Sequence, residues 1–248
     1  MNGMRHTVTG ERGLSLVEVT IMLLVLMLLT GVLAPSIMDF VRDAQWVKAK
    51  EDCEAIGVSV ARLTRDIGPC LKFNGTDRCT KANRVDILFS DGPDVTAADL
   101  TEDATTVFNG GGNIASALTW SADGDRGDSM ERQFTTNDAG YLSPANYGNY
   151  SAVGPMFGLG WRGAYLSAPI GPDPWGHRYL VNSMFLSVAT DATPGTGEGQ
   201  KSGGWSNDTF CISAGPNAMY QTAFGGNGHG GVDRRGDDFL FIISGDTR

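Results

Sequence analysis

The chain has 248 residues, 41% of them apolar and 19% charged, with a formal net charge of −9. That acidic balance, with no compact basic patch, excludes a protein that tracks nucleic-acid phosphates, which are held by Lys and Arg. Most of the 34 glycines lie beyond residue 109, interleaved with Trp, Tyr and Phe, so the C-terminal half is loop-rich rather than disordered.

Residues 1–13 are short and polar, with Arg5, Glu11 and Arg12. The apolar stretch from Leu14 to Met38 follows, and Val19 to Met38 carries no charge. As a helix at ~1.5 Å per residue it spans the roughly 30 Å of a bilayer core. The basic leader stays cytoplasmic and the rest is sent outward. About 200 residues remain beyond this segment, enough for one globular domain. Val32-Leu33-Ala34 loosely suits a signal-peptidase site, but the apolar run is too long and Pro35 follows at once. A plain signal anchor suits the length. Neither reading explains Glu18, because a carboxylate in hydrocarbon costs on the order of 3 kcal/mol. It can snorkel to the headgroups, or it has a partner. Cleavage after Gly13 would give Leu14 a free amine, and Glu18 could neutralise that amine on a neighbouring subunit. Such a pair in low dielectric specifies register.

Arg12-Gly13-Leu14-Ser15-Leu16-Val17-Glu18 resembles the cleavage motif of the type IV prepilin family. Pro35 falls where that family commonly has a helix-kinking proline. Leu14 departs from the pattern, since Phe is commoner as the first mature residue. The resemblance implies a leader (1–13) removed by a prepilin peptidase, methylation of Leu14, and a transmembrane and filament-core helix (14–38).

The helical pattern continues past the membrane. Phe40, Ala44 and Val47 extend one stripe, and Ile56, Val60, Leu63 and Ile67 form another at spacings of four, three and four. Gly68-Pro69 ends the helix, so Leu14 to Ile67 predicts roughly 80 Å of helix. Its second half (39–69) is amphipathic and packs on a sheet.

Residues 70–160 form a variable region. Arg84 to Phe89 alternates and predicts a strand, and Asp91-Gly92-Pro93 predicts a turn. Thr105 to Trp120 predicts a strand pair about Gly110-Gly111-Gly112. Ser121 to Asp128 is polar. Its Arg126-Gly127-Asp128 reads as a chance match to the integrin tripeptide, and Asp123, Asp125 and Asp128 read as a solvated turn lacking EF-hand spacing. Cys53, Cys70, Cys79 and Cys211 include no C-x-x-C pair, which argues against zinc-knuckle and thioredoxin motifs. Four cysteines in an exported domain permit two disulfides in any of three pairings. Cys70 and Cys79 are the nearest pair, and small buried apolar cysteines are the alternative.

In residues 161–248, Pro172-Asp173-Pro174 and Gly176 predict a turn, Trp175 a plug for the sheet–helix core, and Tyr179-Leu180-Val181 the start of a strand. Asp173-Pro174-Trp175-Gly176 with Tyr179 resembles the signature of the major pseudopilin of type II secretion. Cys211 to Asn217 reads as strand then turn, and Asp237-Asp238 as a turn leading into a last strand. In that family the corresponding acidic loop holds Ca²⁺, a cation that takes six to eight oxygens. The resemblance implies Asp233, Asp237 and Asp238 as ligands, with Asn217 standing where Asp is common. The loop from Ala218 to Gly236 is longer than the family's, and Arg234 and Arg235 lower its negative potential.

His6, His177 and His229 occur in no metal or nucleophile motif, and no phosphate-binding Gly loop is present. The expectation is a non-enzyme of α+β class: a long N-terminal helix packed on a small antiparallel sheet, the pilin lollipop. The implied function is a structural subunit of a periplasmic pseudopilus that drives type II secretion. It would be anchored once in the inner membrane with its C-terminal domain in the periplasm. Its partners would be copies of itself, other pseudopilins, the prepilin peptidase and an inner-membrane platform with a separate ATPase, and not nucleic acid. The alternative is a type IV pilin or minor pilin for adhesion, motility or DNA uptake.

Overall fold

The computed structural model describes residues 15–68, 71–72, 84–101, 127–142, 160–186, 208–223 and 234–244. The chain divides into two compact units, Met1–Ala44 and Gln45–Arg248. Helix α1 runs from Leu16 to Ile67.

Ser15 opens the helix. Its Oγ accepts the Glu18 N–H at 3.4 Å, and an acid three residues after a serine cap also suits the positive end of the helix dipole. Within the first unit the apolar side chains, from Leu16 to Val41, are exposed. This segment is long and apolar enough to cross a membrane. The hydroxyls of Thr20 and Thr30 turn back onto the carbonyls of Val17 and Leu26, at 2.8 and 2.7 Å. That is how a hydroxyl is satisfied where no water is available. Pro35 lies inside the helix. It has no N–H to offer the Gly31 carbonyl four residues earlier, so one intrahelical hydrogen bond is missing there.

In the second unit α1 buries Ala49, Cys53, Ile56, Val60, Leu63 and Ile67. The stripe predicted from the sequence is therefore the packing face. Phe40, Ala44 and Val47 are exposed among the described residues, unlike the second stripe. Gly68 ends the helix with φ +96, its N–H bonded to the Thr64 carbonyl at 2.8 Å.

Among the described residues, five strands form one sheet: β1 (Ile87–Phe89), β2 (Gly127–Ser129), β3 (Leu180–Val181), β4 (Thr209–Ser213) and β5 (Phe239–Ser244). Their order is β2-β1-β3-β4-β5. The expected antiparallel sheet is mixed instead: β1 pairs with β2 in parallel, Ile87 opposite Gly127, while the other pairs are antiparallel. The residues from Ser90 to Arg126 are numerous enough for the crossover a parallel neighbour needs.

Alternation along the strands builds a core on each face. Leu88, Val181 and Cys211 join Cys53, Ile56, Val60, Leu63 and Ile67 on the helix side. Ile87, Leu180, Phe210 and Ile212 face the other way, beneath Leu100, Ala214 and Tyr220. Two backbone bonds hold that cover together, from Tyr220 N to Asp99 O (2.8 Å) and from Thr101 N to Tyr220 O (3.1 Å). Covering both faces explains why all of β4 is buried.

Two sequence expectations change here. The strand expected from Arg84 to Phe89 begins only at Ile87; Arg84 and Asp86 precede it, both buried and ion-paired to each other. Gly127 and Asp128 are not a solvated loop but lie in β2. Asp128 accepts from Arg132 Nη1 (2.8 Å) and Gln133 Nε2 (2.7 Å). The rest of the predicted strand pair and polar turn, Thr105 to Arg126 with Asp123 and Asp125, lies outside the described residues.

Candidate functional site

The acidic turn is assembled from two loops, 214–222 after β4 and 234–238 before β5. Asp237 Oδ2 accepts the Asn217 N–H at 3.0 Å, and the Asp237 N–H donates to Gln221 Oε1 at 3.0 Å. Asp238 Oδ2 accepts two backbone donors, Gln221 N (2.8 Å) and Thr222 N (2.6 Å). Two glycines make this clasp possible. Gly215 has φ +69, and a Cβ there would run into the Asp237 carbonyl; Gly236 has φ +58 and sits directly against Gln221.

One oxygen of each aspartate is left over. Asp237 Oδ1 and Asp238 Oδ1 are buried with no hydrogen-bond partner among the described residues. Asp238 is wholly buried, and burial pushes its carboxyl up to about 6, with Asp237 adding repulsion. Unpartnered carboxylate oxygens are of the kind a hard cation takes. Among the described residues no three His, Cys, Asp or Glu side chains gather as a metal group. Asp233, the third carboxylate expected from sequence, lies outside the described residues. Asn217 does belong to the clasp. Its Oδ1 accepts the Met219 N–H (2.8 Å) and its Nδ2 donates to Gln221 Oε1 (3.1 Å).

The Asp-Pro-Trp-Gly turn abuts the same strand. Asp173 Oδ1 accepts the N–H groups of Trp175 (3.0 Å) and His177 (2.8 Å), and Oδ2 accepts from Ser213 Oγ of β4 (2.7 Å). Gly176, at φ +95, closes the turn. Asp173 is buried, so this carboxylate bolts the turn to the sheet. Trp175 is not the expected core plug. It is half-buried and meets Trp46 of α1 edge-on, with centroids 5.1 Å apart. The plug is Tyr179, wholly buried, whose hydroxyl donates to Asp52 Oδ2 at 3.0 Å. Burial and the Asp52 charge both hold that phenol protonated.

Glu18 is exposed in the first turn of α1. Gly13 and Leu14, the expected processing junction, lie outside the described residues, as do Cys70 and Cys79. The structure instead brings Cys53 and Cys211 together, Sγ to Sγ 2.6 Å, both wholly buried. Sequence separation hid this pair. An advance signal for Cys53 was its place three residues before Ile56, in phase with the predicted stripe.

Comparison with known proteins gives no match to a family model, a curated protein or a solved structure.

Proposed function

We propose that this chain is a structural subunit of a membrane-anchored, pilin-like filament, with the pseudopilus of type II secretion as the preferred setting. The observation that carries the reading is the first unit. It offers an exposed apolar helix, internally satisfied at its threonine hydroxyls, with one carboxylate at its start. Processing after Gly13 would place the Leu14 amine near that end, and Glu18 of one subunit would neutralise the amine of the next. The second unit would then be carried outside the membrane, with copies meeting through their apolar helices. Peptidase, platform and ATPase are the partners this reading calls for. Calcium at Asp237 and Asp238, with Asp233 as the third carboxylate, belongs to the same proposal; the two leftover oxygens support it.

Mass spectrometry of the mature N-terminus tests the proposal first. Leu14 is expected as the first residue; an intact leader, or cleavage near Ala34, sinks the reading. Glu18 also has a competing local role as the acid of a Ser15 cap. Because glutamine serves a cap as well as glutamate, Glu18→Gln separates the two roles. Paired with the amine, Glu18→Gln and Glu18→Ala both insert in the membrane but fail to enter filaments. Normal filaments from Glu18→Gln leave only the cap.

A further inference from the structure

We propose that Cys53 and Cys211 are joined by a disulfide that staples the second half of α1 to strand β4. Their sulfurs lie 2.6 Å apart. Carbon atoms in van der Waals contact rest at roughly 3.5–4.0 Å and the larger sulfur approaches no closer, so this spacing stands nearer to the ~2.05 Å of a covalent S–S bond. The surrounding packing is built for the approach. Gly57 lies one helical turn beyond Cys53, and a Cβ there would meet the Phe241 ring at 2.6 Å. Phe241 is the β5 partner of Cys211 in the sheet register. The glycine therefore lets the helix settle against the very strand pair that carries Cys211. Both cysteines belong to the core between helix and sheet, Cys53 on α1 and Cys211 on β4, an interior strand of the order β2-β1-β3-β4-β5.

Forming the bond removes two protons and two electrons. The oxidant is an external disulfide, either glutathione disulfide or a protein dithiol–disulfide carrier. The thiolate of one cysteine attacks that disulfide and expels one thiolate. The second cysteine then attacks the mixed disulfide at the protein sulfur and expels the other. The two released protons go to the two leaving thiolates, so the carrier ends as two thiols. Burial, and then the neighbouring Cys211, push the Cys53 thiol well above its ordinary range, which keeps thiolate scarce once the domain has closed. Exchange therefore precedes docking of α1, and the finished bond is shielded from reductants. The bond is structural rather than a switch.

The pairing rests on the geometry of the second unit, not on the filament reading. The full-length chain, purified reduced and denatured and then refolded in detergent with a glutathione redox buffer, is alkylated and digested with trypsin without reduction. Each cysteine falls on its own peptide: Glu51–Arg62, Asp66–Lys72, Cys79–Lys81 and Ser202–Arg234. The expected product joins Glu51–Arg62 to Ser202–Arg234 and is lighter by two hydrogens than the separate peptides. Alkylation of both Cys53 and Cys211 in the refolded chain overturns the proposal, as does linkage of either to Cys70 or Cys79. Reductant should also lower the melting temperature by on the order of 10 °C, and by much less in a Cys53→Ala/Cys211→Ala double variant. An equal response in both overturns the staple. Failure of export leaves a different mark: the protein is reduced when isolated from cells yet still cross-links on refolding.

Discussion

Asp238 is the residue at which burial and charge conflict most openly. Its carboxyl sits at about 6 in the folded chain against an ordinary value of 3.8. Between those values the folded state holds more protons than the unfolded one, so stability falls as pH rises from about 4 to 6. Without calcium, the melting temperature should therefore climb as pH drops through that window, an effect of up to about 3 kcal/mol. Asp238→Asn should flatten the slope. A cation at the two leftover oxygens would reverse the balance, because it favours the ionised form and competes with the proton. Added calcium should then raise the melting temperature more at pH 7.5 than at pH 5. A melt indifferent to chelation at micromolar free calcium removes the metal. Ala218 adds to the picture of a constrained loop: it is a non-glycine residue at φ +64 beside this clasp, a conformation that costs roughly 1–2 kcal/mol.

At the scale of elements, the central contact is α1 against β4 and β5. Glycine is normally a poor helix residue, about 1 kcal/mol worse than alanine. Gly57→Ala should nevertheless destabilise the domain, because the added methyl meets the Phe241 ring at 2.6 Å and Ile243 at 3.3 Å. Overpacking of this kind costs about 1–3 kcal/mol, leaving a net loss of about 1 kcal/mol. A lower urea midpoint with an unchanged slope would register it; a gain in stability would mean the ring moves freely. The stripe Ile56, Val60, Leu63 and Ile67 was readable from period alone, since four side chains on one helical face must find a partner surface. The brace at Asp173 was readable only as a turn. That its second oxygen reaches Ser213 of β4 depends on a contact across the sheet that no local pattern encodes.

At the scale of the molecule, the two units differ in what satisfies them. The unit from Gln45 to Arg248 has cores on both faces of its sheet. Residues 45–248 alone should thus be soluble and melt cooperatively, whereas the full chain should need detergent for extraction. A fragment that fails to melt cooperatively would show that the first unit is needed for folding. The Cys53–Cys211 link would close a span of 158 residues, for which chain entropy alone predicts about 5 kcal/mol. Its loss would be felt by the whole second unit rather than by one loop.

The sequence by itself determined the apolar helix, its stop at Gly68, the packing stripe, and the turns at Asp173–Gly176 and Asp237-Asp238. Each is a local consequence of periodicity, of backbone freedom at glycine, or of proline geometry. Tertiary structure decided the rest. It made the sheet mixed, buried Arg84 with Asp86, moved the core plug from Trp175 to Tyr179, and set Cys53 beside Cys211. These outcomes depend on which distant segments meet, and desolvation then decides whether a polar or sulfur group ends paired, buried or bonded.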